Sequence, residues 1–392
     1  MVRPPGDPGH RRQRESPLGR VSAAPGVGHT ASRVHLDLID PYTSDAERTW
    51  RGLEATAPRS YFLSWGWIET WLACLPRKHA PELAVVVDGG VPVAAAFVRR
   101  RWIRRHRILP SHAVFFNTVG VERYDALWIE YNGLVGRDFA IAPWIAMLPG
   151  GWDEVFLPGL RADAFLGLTA GGLPDAHVRI DRKVPAYYVD LAQVRAKDYL
   201  SLLGGQTRSQ VRRSQREAGE LTTEVARDER EAIAFYEEMC ELHGRLWRAK
   251  GQPGAFADPW FDQFHRRLIA LRFPHGEIEL FRVRTATETL GVLYNFVYRG
   301  RVLQYQSGLE HYENHHLRPG FIAHAAAIEH AAAAGRDVYD FLGGEMRYKK
   351  SLSTDCTWLL WARVQRNALR FVVEDRLRVW AATRRAPSDA TH

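Results

Sequence analysis

The sequence predicts an α/β protein of two repeated units, each a mixed, mainly antiparallel sheet flanked by helices, behind a disordered N-terminal tail. Three observations carry this expectation. A chain of 392 residues is too long for one ordinary core. Two segments far apart follow one plan, a tryptophan-bearing helix and then an antiparallel meander. From Arg301 onward a β-type run, a helix of small residues and a short apolar strand succeed one another. The boundaries drawn are a tail at 1–32, a first unit at 33–190, a second at 191–384 and a frayed end at 385–392.

Taken in order, the first thirty or so residues are rich in Pro, Gly and Arg and have no apolar stretch, which suits a disordered tail and not a secretion signal. The first copy of the plan runs from Trp67 and Trp71 through Leu75-Pro76 to a strand at 82–87. Asp88-Gly89-Gly90 then turns the chain into a second strand at 91–98, a hairpin signal. Tyr187 to Leu191 reads as a strand leaving this unit. Arg208, Arg212 and Arg216 recur at helical spacing and share one face, and periodicity resumes from Ala232 to Lys250 until Gly251 stops it. The second copy starts at Trp260 and Phe264, passes Phe273-Pro274 and forms three strands, at 277–283, 290–298 and 302–307. Trp67 stands to Trp260 much as Leu83 stands to Ile278. A helix beginning at Arg318-Pro319-Gly320 and closing at Gly335 precedes a strand at Val338 to Leu342. A basic helix from Phe371 to Arg384 ends the pattern.

Composition narrows the class. Hydrophobic residues make up 46% and charged residues 25%, the balance of a packed globular protein. No apolar run reaches membrane-spanning length; the longest, Ala323 to Ala334, is interrupted by His324, Glu329 and His330. Cys74, Cys240 and Cys356 are widely spaced, which suits a reducing cytoplasm and argues against a disulfide framework or a thiolate metal site. His315-His316 lacks a carboxylate or thiol at ligand spacing, so no metal is expected. The net charge of +8 is carried almost wholly by arginine. It suits an anionic cofactor and is weak grounds for nucleic acid; DNA is not an expected partner.

Several residues carry chemistry. Proline at a first helical position costs no hydrogen bond, and the following glycine lets a ligand approach the backbone. Arg318, Pro319 and Gly320 therefore read as an anion site, where free N–H groups meet a diphosphate. Tyr305 and Ser307 alternate onto one strand face and border the space beside it. Asp340, in an otherwise apolar strand, is either paired in the core or serves as base or amine anchor. Glu310 and His311, just beyond a strand end, are alternative bases. Tyr348 and Lys349 follow the Gly343-Gly344 loop at the sheet end, where a phenol can donate a proton and an ammonium can steady a developing anion. The Arg208 face offers a site for an acidic acceptor, although Glu217, Glu220 and Glu224 suggest a solvated, salt-bridged helix. Trp67 and Trp71, four residues apart, read as core packing.

The order of Phe62-Leu63-Ser64-Trp65, the Arg208 to Arg216 helix, His243…Trp247…Gly251, Tyr305-x-x-Gly308, Pro319-Gly320 and Asp340-Phe341-Leu342-x-Gly344 with Tyr348-Lys349 resembles the GNAT acetyltransferases. Within them it is similar to the CelD-like group associated with polysaccharide biosynthesis, related in fold to the FemAB aminoacyl transferases. The resemblance spans roughly Val34 to Val364. It implies two tandem GNAT-like domains, the first structural or substrate-shaping. The second would bind acetyl-CoA or another acyl-CoA at Arg318, Pro319, Gly320 and Phe321. Tyr305, Ser307, Glu310, His311, Arg208 and Trp247 would face the acceptor, and Asp340, Tyr348 and Lys349 would carry the chemistry. The phosphate loop has fewer glycines than the superfamily's usual one. The implied activity is a cytoplasmic N-acyltransferase acting on a small-molecule amine of a sugar, amino acid or peptide-like metabolite. The alternatives are a FemAB-like transferase using charged tRNA and an inactive module assisting polysaccharide assembly.

Overall fold

A computed structural model describes residues 34–376, apart from 58–59, 137–138, 171 and 375. The expected tail at 1–32 and the end at 385–392 lie outside the described residues, as does most of the helix expected from Phe371 to Arg384. The first half comprises β1 (His35–Ile39), α1 (Ser44–Glu54), α2 (Trp65–Cys74), β2 (Glu82–Asp88), β3 (Val91–Arg105), β4 (Leu109–Phe116), α3 (Glu122–Asp125), β5 (Val135–Gly136), α4 (Ile141–Met147), β6 (Glu154–Arg161), α5 (Ala162–Ala170) and β7 (Ala176–Asp190). The second comprises α6 (Leu191–Ala196), α7 (Tyr199–Leu202), α8 (Gly205–Ala218), β8 (Thr222–Val225), α9 (Glu229–Ala249), α10 (Pro259–Arg272), β9 (Ile278–Arg284), β10 (Thr289–Tyr298), β11 (Arg301–Leu309), α11 (Pro319–Ala333), β12 (Val338–Gly343), α12 (Arg347–Leu352) and β13 (Asp355–Arg366).

One mixed sheet joins the two halves, in the order β1-β2-β3-β4-β6-β13-β7-β12-β11-β10-β9-β8, with β5 alongside β3. The order is nearly symmetric about the β13–β7 pair, and the last strand of each half is exchanged. β7 pairs with β12 of the second half, while β13 pairs with β6 of the first. Each half repeats an antiparallel meander ending in one parallel pair, β4 with β6 and β11 with β12. The duplicated plan read from Trp67 and Trp260 is thus present as symmetric topology.

The equivalent helices α2 and α10 pack on each other across one face of the sheet. Trp67 meets Phe264 at 4.9 Å, and Trp260 donates its indole N–H to Cys74 O at 2.8 Å. Trp67 and Trp71 are 2% and 4% exposed, which settles them as core residues. Ser64 caps α2 by accepting from Trp67 N, and Asp258 caps α10 by accepting from Trp260 N. On the opposite face α11, almost entirely apolar, packs with α6, α7 and α8 over β9 to β12. Alanine at most positions of α11 lets it lie close to the strands, as its buried Ala323, Ala325, Ala327 and Ala331 show.

Candidate functional site

The site is built where β11 and β12 separate. The two strands run parallel and pair only at Arg301 to Leu303 and Val338 to Asp340. Beyond these residues they part, and the N-terminus of α11 stands near the opening. A bulge in the β10–β11 register leaves Tyr305 without a partner strand residue. Helix α9 closes one side. It approaches so nearly that a Cβ on Gly308 would lie 2.2 Å from Met239 O, so only glycine fits there.

The far side of the opening is the end of β12. Alternation sends Tyr339 and Phe341 to the α11 face, and Asp340 and Leu342 to the other. Leu342 has φ +60°, a left-handed conformation that a branched side chain adopts at a cost of about 1–3 kcal/mol. Its N–H donates to Asp340 Oδ1 at 2.8 Å, which holds the bend. The bend presents both polar ends of Gly343. Its N–H donates to Glu130 Oε2 at 2.6 Å, and its carbonyl accepts from Lys349 Nζ at 2.8 Å. A Cβ on Gly343 would stand 3.0 Å from Glu130 Oε1.

Glu130 is buried, and burial pushes its carboxyl up to about 7, against the opposing pull of the Gly343 N–H and the Lys349 ammonium. Lys349 is 5% exposed and has no ion-pair partner among the described residues. Burial lowers its ammonium below the usual lysine range, with Glu130 and Asp340 partly restoring it. A carboxyl raised in the folded state favours folding most below its unfolded value, and that contribution is lost as pH rises through about 7. Glu130→Gln keeps an acceptor for Gly343 N–H and removes the titration. Its stability in urea is expected to change less between pH 5 and pH 8 than that of the parent, by up to about 3 kcal/mol. Parallel pH profiles for the two proteins would remove Glu130 from this account.

The expected site residues fall into distinct places. Asp340 is fully buried, and its carboxylate accepts from Tyr131 Oη at 2.6 Å, from the Arg301 guanidinium and from Leu342 N–H. Of the two expected situations, Asp340 is in the paired one: three donors occupy its oxygens, and it fixes the bend at the end of β12. Tyr348 and Lys349 are adjacent in sequence but point to different surroundings. Tyr348 stacks on His324 at 5.3 Å, packs near Phe341, and has its phenol pushed up to about 12 by burial. Its hydroxyl has no hydrogen-bond partner among the described residues, so it remains available on the α11 side of the opening.

Tyr305 packs into the aromatic core and donates to Leu127 O at 3.1 Å, and burial raises its phenol above the usual tyrosine range. Ser307 and Trp247 are brought close to each other by α9. His243, one turn before Trp247, has Nδ1 at 3.3 Å from Ser307 O, and its ring lies 5.7 Å from that of Trp247. Glu310 pairs with Arg245 at 2.8 Å on the same side, whereas His311 is exposed.

At the start of α11 the expectation of several free amides is corrected. Arg318 N–H donates to Ser214 Oγ at 2.6 Å, Pro319 has no N–H, and Phe321 and Ile322 donate back to Arg318 O. Of these, only the Gly320 N–H has no partner among the described residues, and Gly320 is partly exposed. Phe321 is buried in the core. Arg208 lies on α8 with Arg212 and Arg216, lining a shallow depression of about 330 Å³. None of the three is ion-paired among the described residues, because Glu224 pairs instead with Arg282 and Glu217 approaches Asn314. The salt-bridged reading of this face is therefore corrected as well.

Residues 205–350 match the family model described as Acetyltransferase (GNAT) domain. No curated protein matches the chain. Among solved structures, the chain resembles one described as FemX, at 12% identity and a TM-score of 0.51, with 86% of this chain and 98% of that one covered. It also resembles L-PGS from Bacillus licheniformis, at 11% identity and a TM-score of 0.50, covering 89% and 99%. A tandem GNAT protein from the clavulanic acid biosynthesis pathway aligns at 14% identity and a TM-score of 0.45, covering 86% and 99%. The fold is of the GNAT type and resembles those of FemX and L-PGS. Among the described residues no group of His, Cys, Asp and Glu is arranged to hold a metal, and no helix is long and apolar enough to cross a membrane.

Glu130, Tyr131 and Arg301 were not singled out from the sequence. The signal for Glu130 was present, a lone carboxylate in the apolar run Leu127-Trp128-Ile129-Glu130-Tyr131, which demands a buried partner.

Proposed function

We propose that this protein is an acyltransferase that moves an acyl group from an acyl-CoA thioester to a small-molecule amine by direct attack. The observation that carries the reading is the parting of β11 and β12 opposite the start of α11, within the segment that matches the GNAT family model. An extended thioester arm lies between two such strands by taking the backbone groups they leave unpaired. The neutral amine nitrogen bonds to the carbonyl carbon, the C–S bond breaks and the thiolate takes a proton from Tyr348, while the proton released from the amine nitrogen returns through water to the Tyr348 phenolate. Lys349, with a donor to spare beyond its two carbonyl contacts, steadies the oxyanion. Residues 191–384 act as the acyl-binding domain and 33–190 as the acceptor-shaping one. Within the family we place the chain in the CelD-like group, in a cytoplasmic setting.

Calorimetric titration with acetyl-CoA, longer acyl-CoAs and free CoA tests the donor. Gly320→Asp places a carboxylate against the diphosphate, and its Cβ meets only Leu309 Cδ1, at 3.1 Å, so the fold tolerates it. Affinity for CoA is expected to fall about tenfold or more, the equivalent of roughly 1.4 kcal/mol or above; unchanged affinity would count against α11 as the phosphate site.

A second reading has its own support. The arginines of α8, without ion-pair partners among the described residues, and the single free amide at α11 also suit a donor carried on tRNA. Retention of charged tRNA with steep salt dependence, and no uptake of CoA, would decide for it.

A further inference from the structure

The first half has a wedge of its own. β4 and β6 pair in parallel only from Ala113 to Phe115 and from Glu154 to Phe156, then separate as β11 and β12 do. Beside this parting lies a cavity of about 440 Å³, within the range of about 300–1,000 Å³ typical of small-ligand sites. Its aromatic walls come from Phe115, Phe156, Trp128 and Trp361, and its acidic edge from Glu122 and Asp125. Trp128 is 55% exposed at φ +50°, an aromatic held out toward the cavity mouth in a conformation bulky residues rarely adopt.

The electrostatics separate this cavity from the C-terminal opening. Among the described residues no lysine or arginine lines it. Two guanidiniums stand against its walls, each held by protein groups: Arg182 lies over Trp361 and Trp128, and Arg363 lies over Phe156 while pairing with Asp181, itself a lining residue. Glu122 and Asp125 have no ion-pair partner among the described residues. Asp125 is held by the N–H groups of Val119 and Val121, and burial raises its carboxyl to about 6. A ligand bearing phosphate or carboxylate would meet the lining carboxylates of Glu122, Asp125 and Asp181, whose neighbouring guanidiniums are already held by the walls, which disfavours CoA and free amino acids. A protonated amine meets Glu122, which has no ion-pair partner among the described residues, beside the aromatic walls.

We propose that this cavity is the acceptor site, and that it takes a protonated amine free of acidic groups, carried on a ring with an apolar face. The assignment as acceptor rests on the acyltransferase reading; the binding does not. The wall of the cavity leads directly to the reacting end of β12. Leu127 O accepts from Tyr305, Trp128 and Ile129 line the cavity, and Glu130 grips Gly343.

Full-length protein titrated with glucosamine, cyclohexylamine and glucuronate, followed by tryptophan fluorescence and calorimetry, tests the proposal. Saturable binding of at least one ring amine is expected, with glucuronate about tenfold weaker or more. Trp128→Ala, a substitution of an exposed side chain, is expected to weaken amine binding about tenfold, and Glu122→Gln by a smaller factor in the same direction. Absence of binding by both amines, preference for glucuronate, or amine binding unchanged in Trp128→Ala would each overturn it. Acyl-CoA titrated in parallel separates the two readings: amine bound without acyl-CoA would leave this site standing and remove the acyl-CoA donor.

Discussion

Replacing Lys349 by methionine is expected to lower turnover about 10²–10³-fold, the usual loss when one preorganised oxyanion donor is removed. Affinity for the acyl donor should stay close to that of the parent. The fold is expected to survive, because methionine matches the length of the buried stem, although Glu130 loses a cation that partly stabilises its charged form. Leu342 O and Gly343 O lose a donor, which costs about 1 kcal/mol in all. The pH profile carries a second check. Burial lowers the Lys349 pKa, so a rate that depends on its ammonium form declines on the alkaline side at a lower pH than an exposed lysine would set. Steady-state rates with urea unfolding on the same preparation read both effects. Parent-like turnover in a folded Lys349→Met protein would remove the ammonium from the reaction.

Local signals made much of this structure legible. Asp88-Gly89-Gly90 marked the β2–β3 hairpin, and the spacing of Arg208, Arg212 and Arg216 placed them on one face of α8. Pro319 and Gly335 bracketed α11. The exchange of β7 and β13 was not legible, because it depends on partners far away in the chain and no residue in either strand specifies the neighbour. The same limit hid the state of α11. Proline and glycine announce a helix start, but Ser214, from a different helix, decides whether its first amide is free. Asp340 shows the limit from the other side. The pattern correctly marked a carboxylate in an apolar strand, yet whether it was paired or catalytic turned on Tyr131 and Arg301, one from each half of the chain.

That distinction predicts the larger stability effect. Asp340→Ala strips the acceptor from Tyr131, from Leu342 N–H and from Arg301, whose guanidinium is only 24% exposed and then stands uncompensated. Breaking a buried pair in this way costs about 3–5 kcal/mol. The lower end applies, since Arg301 retains some water, and a loss of about 3 kcal/mol in urea denaturation is expected. Asp340→Asn should lose less, because the amide oxygen still accepts one of the three hydrogen bonds. Adding Arg301→Met to Asp340→Ala should recover part of the loss, since it removes the stranded cation; the double-mutant cycle isolates that coupling. A base at this position would behave in the opposite way, with Asp340→Asn abolishing turnover while the unfolding midpoint stayed near that of the parent. The arrangement around Asp340 requires the first outcome. Its three donors hold Leu342 in the left-handed bend that turns both polar ends of Gly343 outward, so loss of the carboxylate reaches Glu130 and Lys349 through the backbone.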